Sequence, residues 1–357
     1  MGTQAPVVVG VGMMTSVGLT TKETAASVRS GVMRFAESRL LDKTSLPFTL
    51  AVVPDDALPP LTGALESEFL TSRERRMLRL ATQPLRECLA PVAADGHLPR
   101  LPLCLALPED ETLVPLDRAR FLQRLALQAG GGIDVSRSDA SPAGRAGGLL
   151  ALGQAVAAIE SGAADLVVAG AVDSYRDPYV LGILDVRARV KSSANLDGFI
   201  PGEGAAFILL ASPHAAAARG LAPLARLSRV AAGFEAGYLG SPEPYRGDGL
   251  ATTVAQLVAL TAVEEPLQEV YSSMNGESHW AKEWGVTYIR NKALFRPDYG
   301  MHHPADTLGD TGAAAGPVMV GLAAFGIIGS YRRSPTLVYG SSDRGPRAAV
   351  VVSTATH

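Results

Sequence analysis

Apolar positions change their period several times along the chain, and each change marks an element. Val7-Val8-Val9 reads as a short buried strand, and Gly10-Val11-Gly12 after it as a tight glycine turn. A helix is expected from about Thr21, whose hydroxyl can cap it, with Ala25, Val28 and Val32 on one face. Residues 41–63 are rich in proline and turn formers and read as irregular. Over 72–89, Met77, Leu78, Leu80 and Leu85 fall at helical spacing, and Pro84 should kink or break that helix. Residues 101–107 have the pattern of a strand. The clearest helix covers 143–161. Leu149, Leu152, Val156 and Ile159 share one of its faces, Gly147, Gly148 and Gly153 permit close packing, and Gly162 can cap its end. The apolar strand Leu166-Val167-Val168-Ala169-Gly170 follows directly, giving a helix–cap–strand unit of α/β layering.

Two more strands are expected near 205–210 and 224–230, with an alanine-rich turn over 214–220 between them. The second half then repeats the order of the first. It has a helix near 251–262, a strand near Val270, a glycine-alanine helix start at 312–316, a long helix to Ile328, and strands at 336–339 and 348–353. This repetition points to an internal duplication, with halves 1–215 and 216–357.

Composition narrows the function. The 357 residues fill about two domains or one large α/β unit. With 47% hydrophobic and 19% charged residues, a sizeable core is expected. Lys and Arg number 32 against 35 Asp and Glu, and no long basic run appears, which argues against nucleic acid as a partner. The two cysteines, Cys88 and Cys104, exclude a disulfide framework and have no zinc-ligand spacing, so a reducing, cytoplasmic setting is expected. Residues 1–6 lack the basic segment and apolar core of a secretion signal, and Pro6 breaks the myristoylation pattern. The longest apolar run, 317–328, is too short for a bilayer core of about 30 Å. Gly10, Gly12 and Gly18 lack the third glycine of a dinucleotide fingerprint, and no cofactor is expected.

Four collinear segments carry a family resemblance. They are the opening strand and glycines over 7–19, the step Ser161-Gly162-Ala163-Ala164-Asp165, the run Asp197-Gly198-Phe199-Ile200-Pro201-Gly202-Glu203-Gly204-Ala205, and the glycine-alanine segment over 308–316. Together they resemble the β-ketoacyl-acyl-carrier-protein synthases, whose signatures DGFxxGEGA and TGHxxGAAG match the last two. The resemblance implies a thiolase-like α/β fold: five αβαβα layers from two duplicated halves, with no sheet continuous across both. It also implies a homodimer, paired through a short strand at about 132–136.

The family's chemistry needs a cysteine nucleophile at a helix start and two histidines. By a gapless alignment these positions hold Arg145, Asn275 and Asp310, and the family's lysine falls on Ala305. Ser341-Ser342-Asp343-Arg344-Gly345 replaces the terminal glycine-rich loop. Arg145 and Asp310 should be neighbours of opposite charge, with Asn275 or Asp139 completing the hydrogen bonds, so that the pair plugs the acyl site.

Other polar groups have two readings each. Glu277 or His279, in the segment from Asn275 to Trp284, is an acid or base of a replacement site. Alternatively the segment is a turn and helix start, with Ser278 as cap and Trp280 and Trp284 packing. His302, His303, Asp306 and Asp310 form either a metal site or structural and exposed groups, the second favoured because adjacent histidines diverge. Ser141, the hydroxyl nearest position 145, lacks an evident base. Cys88 and Cys104 read as small buried hydrophobes. Glu203 reads as a holder of backbone and loop geometry.

Two functions remain. One is a degenerate synthase kept as a scaffold or adaptor. Its partner would be an active synthase, an acyl-carrier protein or a type VI secretion effector, and the Asn275-Gly276-Glu277 and Gly309-Asp310 variants look like the secretion-associated sort. The other is an acyl-transferring or condensing enzyme with an altered active site.

Overall fold

The structure, a computed structural model, describes residues 5–94, 97–110, 115–261 and 265–355. The readings on residues 1–4 and the helix end at 262 lie outside them. The chain runs β1 (Val7–Thr15), α1 (Thr21–Arg29), β2 (Ala36–Leu41), β3 (Pro47–Leu50), α2 (Gly63–Glu66), α3 (Ser72–Leu89), β4 (Leu103–Ala106) and α4 (Arg118–Ala129). It continues through β5 (Asp139–Ser141), α5 (Gly144–Glu160), β6 (Leu166–Ser174), α6 (Pro178–Val186), β7 (Glu203–Ala211), α7 (Pro213–Ala218), β8 (Ala225–Leu227) and β9 (Ala231–Phe234). Then come α8 (Asp248–Thr261), β10 (Leu267–Ser272), α9 (Ser278–Asn291), β11 (Phe295–His302), α10 (Ala305–Leu308), α11 (Ala315–Ile328), β12 (Thr336–Ser341) and β13 (Pro346–Ser353).

Strand pairing repeats. In the first half β5, β4 and β6 are parallel, and β7 and β1 add antiparallel in the order β5-β4-β6-β7-β1. In the second half β11, β10 and β12 are parallel, and β13 and β9 add antiparallel in the order β11-β10-β12-β13-β9. Helices α3 and α4 cover the outer face of the first set, through a core that includes Met77, Leu85, Phe121 and Phe207. Helices α8 and α9 cover the second, around Leu250, Val254, Trp284 and Tyr339. Between the sheets lie α5 and α11, and α11 is apolar all round because both of its sides are buried. Five layers result, as the thiolase-like α/β reading expects.

Continuity across the halves corrects one expectation. β8 pairs with β1 on one edge (Val7↔Arg226, Val8↔Ala225) and with β13 on the other (Val352↔Leu227, Ser353↔Arg226). Hydrogen bonding therefore runs through the whole sheet, joined by a strand only three residues long. β1 and β13 flank it at the centre.

Several local readings also change. β1 runs straight through Gly10 and Gly12, which are strand residues, not a turn. They are glycine because α3 crosses there: a Cβ on Gly10 would meet the Cys88 carbonyl oxygen, and one on Gly12 the Pro84 carbonyl. Helix α3 continues past Pro84 as one element, held by a Thr71–Glu74 capping box and by buried Leu85, Cys88 and Leu89. Thr20, not Thr21, caps α1 by accepting from the Glu23 amide. Of the stretch 41–63 read as irregular, only its start belongs to a hairpin, β2–β3 over 36–50. The strand expected near 224–230 is the short β8 followed by β9, and 132–136 is not a strand. There Asp134 accepts from the Ser136 amide and hydroxyl, closing a turn, and the edge strand β5 lies three residues further on. No helix among the described residues is long and apolar enough to cross a membrane.

Candidate functional site

Arg145 is the second residue of α5, in the middle layer, and is 3% exposed. A cation at a helix start is opposed by the helix dipole, so it needs anions. Its Nη1 donates to Asp310 Oδ2 at 2.6 Å, Nη2 donates to Asp343 Oδ1, and Nε donates to the Ser341 carbonyl at 3.0 Å. The guanidinium also lies 4.4 Å from the centre of the Trp280 ring. Burial pulls the Arg145 pKa down, but Asp343 and Asp310 outweigh it and hold the value well above the usual one.

A second arginine completes the cluster. Arg189, past the end of α6, forks onto Glu277, with Nε to Oε1 at 2.7 Å and Nη2 to Oε2 at 2.6 Å. Its Nη1 reaches Asp343 Oδ2 at 2.5 Å. Asn275 donates to Asp310 Oδ2 at 2.8 Å and to Glu277 Oε2 at 3.0 Å, and the Trp280 indole N–H donates to Glu277 Oε2 at 2.9 Å. Asp310 Oδ1 accepts from the Gly312 amide at 2.8 Å. Two guanidiniums and three carboxylates are thus tied into one hydrogen-bonded group. Burial raises the Asp343 pKa, but Arg145 and Arg189 outweigh that and bring it to about 2.

The helix start itself is closed by the other half of the chain. The Ser342 hydroxyl accepts from the Ala146 amide at 2.9 Å and donates to the Ala143 carbonyl. In return, Asp173 at the end of β6 accepts from the Ala313 amide at the start of the opposed helix, 2.9 Å away. The space left beside Arg145 and Asp343 is a cavity of about 30 Å³, lined by Tyr175, Val180, Leu184 and Pro108. That volume suits about one water. A larger cleft of about 500 Å³, with Phe69, Met77, Leu116 and Tyr179 on its walls, lies beyond Arg73 and Glu109.

The structure therefore brings Arg145, Asn275 and Asp310 together and adds Glu277 to them. Asp139 does not join: it is exposed on β5. Ser278 is not the helix cap; Glu277 occupies that position, and Ser278 donates to Asp197 instead. Trp280 and Trp284 are buried. His279 stands outside the cluster, stacked on Tyr245 with ring centres 4.0 Å apart. Glu203, fully buried, accepts from Arg76 of α3, from the Ser174 hydroxyl at 2.7 Å and from the Val53 amide at 2.7 Å, which pins a loop to helix and sheet. His302 faces Glu269 and His303 faces Ser272, and no metal-binding group of three ligands occurs among the described residues. The Cys88 thiol is pushed far up by burial and that of Cys104 to about 11, so neither is poised as a nucleophile.

Arg189 and Asp343 were not singled out by the sequence. Arg189 contacts Glu277 and Asp343 across 88 and 154 positions, so no local spacing announces it. Asp343 had one signal, the replacement of a glycine-rich loop by polar residues.

Burial, with Arg347 nearby, lowers the His279 pKa to about 4. The unfolded chain takes up a proton near the ordinary value of 6.5, and the folded chain does not until about 4. Stability is therefore full above pH 6.5 and falls as pH drops from 6.5 towards 4. Burial lowers His302 and His303 as well, so they add to the same slope. Urea unfolding across this range should show the slope reduced in H279F, which keeps an aromatic ring on Tyr245. An unchanged slope would mean that His279 titrates normally.

Residues 141–216 match the family model described as β-ketoacyl synthase, N-terminal domain. No curated protein matches the sequence. Among solved structures, the ishigamide ketosynthase/chain length factor superposes with a TM-score of 0.77 at 16% identity, covering 99% of this chain and 100% of that one. A type II polyketide synthase acyl-carrier protein in complex with its ketosynthase bound to the hexaketide gives 0.78, at 16% identity and the same coverage. The ketosynthase from module 6 of the bacillaene synthase from Bacillus subtilis 168 gives 0.77 at 14% identity, covering 99% of this chain and 73% of that one. The β-ketoacyl synthase resemblance and the thiolase-like fold read from the sequence both stand.

Proposed function

We propose that the chain is a catalytically degenerate β-ketoacyl synthase-like protein that acts as a non-condensing scaffold or adaptor. The observation that carries this is Arg145. At the helix start where the family places its thiol, the chain has a buried guanidinium locked to Asp310 and Asp343. No thiolate can form there, and Asn275 and Asp310 cannot do the work of two histidines. The likeness to a ketosynthase/chain length factor fits a protein that keeps the fold without the condensation. Its partner is an acyl-carrier protein, an active synthase or a secretion effector of the type VI kind. The structural likeness to a ketosynthase in complex with its carrier supports the first. The two unpaired cysteines suit a reducing cytoplasm. In this reading, residues 1–215 and 216–357 are duplicated halves, supported by the repeated strand order. The protein is a homodimer joined near the edge strand β5, whose outer side has no partner strand among the described residues.

The alternative, an acyl-transferring or condensing enzyme, draws on the 500 Å³ cleft, which has room for an acyl chain. Neither cysteine lines it.

Native mass spectrometry after incubation with malonyl- and acyl-loaded carrier protein tests both parts. The expected result is a dimer mass without a covalent acyl adduct, and no ketoacyl product. An adduct, or product abolished by a single substitution, would overturn the degenerate reading, and a monomer at micromolar concentration would overturn the dimer.

A further inference from the structure

Asp343 is held as a bound ligand would be held. Arg189 contacts both its oxygens, Nη1 to Oδ2 at 2.5 Å and Nη2 to Oδ1 at 3.3 Å, while Arg145 donates to Oδ1. Both guanidiniums are fixed by other groups as well. Asp310, the Ser341 carbonyl and the face of Trp280 hold Arg145. Both oxygens of Glu277 and the ring of Phe199 hold Arg189. Apart from the Ser341 carbonyl, which precedes Asp343 on the same segment, these groups belong to other parts of the chain. The receptor is thus largely organised without its occupant, which favours binding because little ordering remains to be done.

The occupant belongs to a short connection between β12 and β13, outside either strand. Its side chain is 15% exposed, whereas that of Arg145 is 3% exposed, so the aspartate sits on the solvent side of the pair. Beside it is the 30 Å³ cavity, walled by Val180, Leu184 and Pro108. A planar monoanion suits two converging guanidinium forks. Asp310, Glu277 and Asp173 nearby would repel a dianion such as phosphate.

We propose that Arg145 and Arg189 form a carboxylate-binding site that the chain fills with its own Asp343. The β12–β13 connection is then an internal plug, and a small monocarboxylate is the ligand that occupies the site when the plug is withdrawn. This rests on the reading of a sealed, non-condensing site, but it fails separately: the adduct experiment tests that reading, and anion binding tests this one.

Asp343→Gly removes a group whose free analogue is acetate. Its thermal midpoint is followed with sodium acetate up to about 100 mM at pH 7, against sodium chloride at equal ionic strength. The expected result is a saturable rise of about 2–4 °C in acetate beyond that in chloride. Wild type, and D343G combined with R189M, should respond to acetate no more than to chloride. Equal responses of D343G to the two salts, or an acetate response that survives R189M, would overturn the proposal. If D343G does not fold alone, refolding in acetate should raise the folded yield several-fold over chloride, and equal yields would overturn it.

Discussion

Arg145→Ala is expected to destabilise the fold by about 3–5 kcal/mol, read from the urea midpoint at constant m-value. The loss comes mainly from what remains behind. Among the described residues, Asp310, whose side chain is 2% exposed, keeps only Asn275 and the Gly312 amide, neither of which carries a compensating charge. Asp343 keeps Arg189, so it is only partly stranded. Removing the carboxylate along with the guanidinium relieves most of the penalty, and R145A/D310A should be markedly more stable than R145A alone. The double variant should not return fully to wild type, because Asp343 still lacks one of its two cations. A loss below about 1 kcal/mol for R145A would show that the network is solvated and that its burial is not a constraint on the fold.

Gly12→Ala is expected to cost about 3 kcal/mol or more, the upper end of overpacking, because the new methyl group meets backbone. The obstacle is the Pro84 carbonyl and the Cys88 amide, backbone of the last part of α3, and no side chain can rotate out of the way. Either the helix lifts off the strand or β1 bends. Both disturb the outer core, in which Met77, Leu85 and Phe207 meet. Gly182 supplies the contrast. It lies on the exposed side of α6, with nothing near the position of a Cβ. G182A should therefore stabilise by about 0.4–1 kcal/mol through the lower entropy of the unfolded chain. If the two alanine variants had similar stability by urea titration, the close approach of α3 to β1 would be wrong.

What the sequence revealed follows from the range of each interaction. Helix α5 was readable because its apolar period, its small residues and the φ +73° glycine at position 162 are all local. Glu203 was readable because it lies inside a run of glycines that few sequences have by chance. The β2–β3 hairpin was missed because β2 is mostly exposed and β3, though its Phe48 and Leu50 alternate inward, is only four residues long; the hairpin is held by Phe48 and Leu50 packing against α6. The gapless alignment placed Arg145 opposite Asp310, but Arg189 and Asp343 meet only after folding. One available signal went unused. Arg347 stands alone in the otherwise apolar β13, and Glu283 stands between two tryptophans in α9. A charge in such company requires a buried counter-charge, and the two do pair, Nε to Oε1 at 2.6 Å.

The central position of β13 also bears on how the protein is made. The chain is synthesised from its N-terminus, yet residues 346–353 lie in the middle of the finished sheet, between β12 on one side and β8 and β9 on the other. Until they emerge from the ribosome, the inner edges of β8, β9 and β12 stay open, and the apolar surface of α11 has lost part of its cover. The first half can pair its own five strands during translation, because β1, β4, β5, β6 and β7 all precede residue 212. The second half must wait for β13. A nascent chain of this kind carries exposed strand edges from the emergence of β8 until that of β13, the interval in which a chaperone would have most to protect.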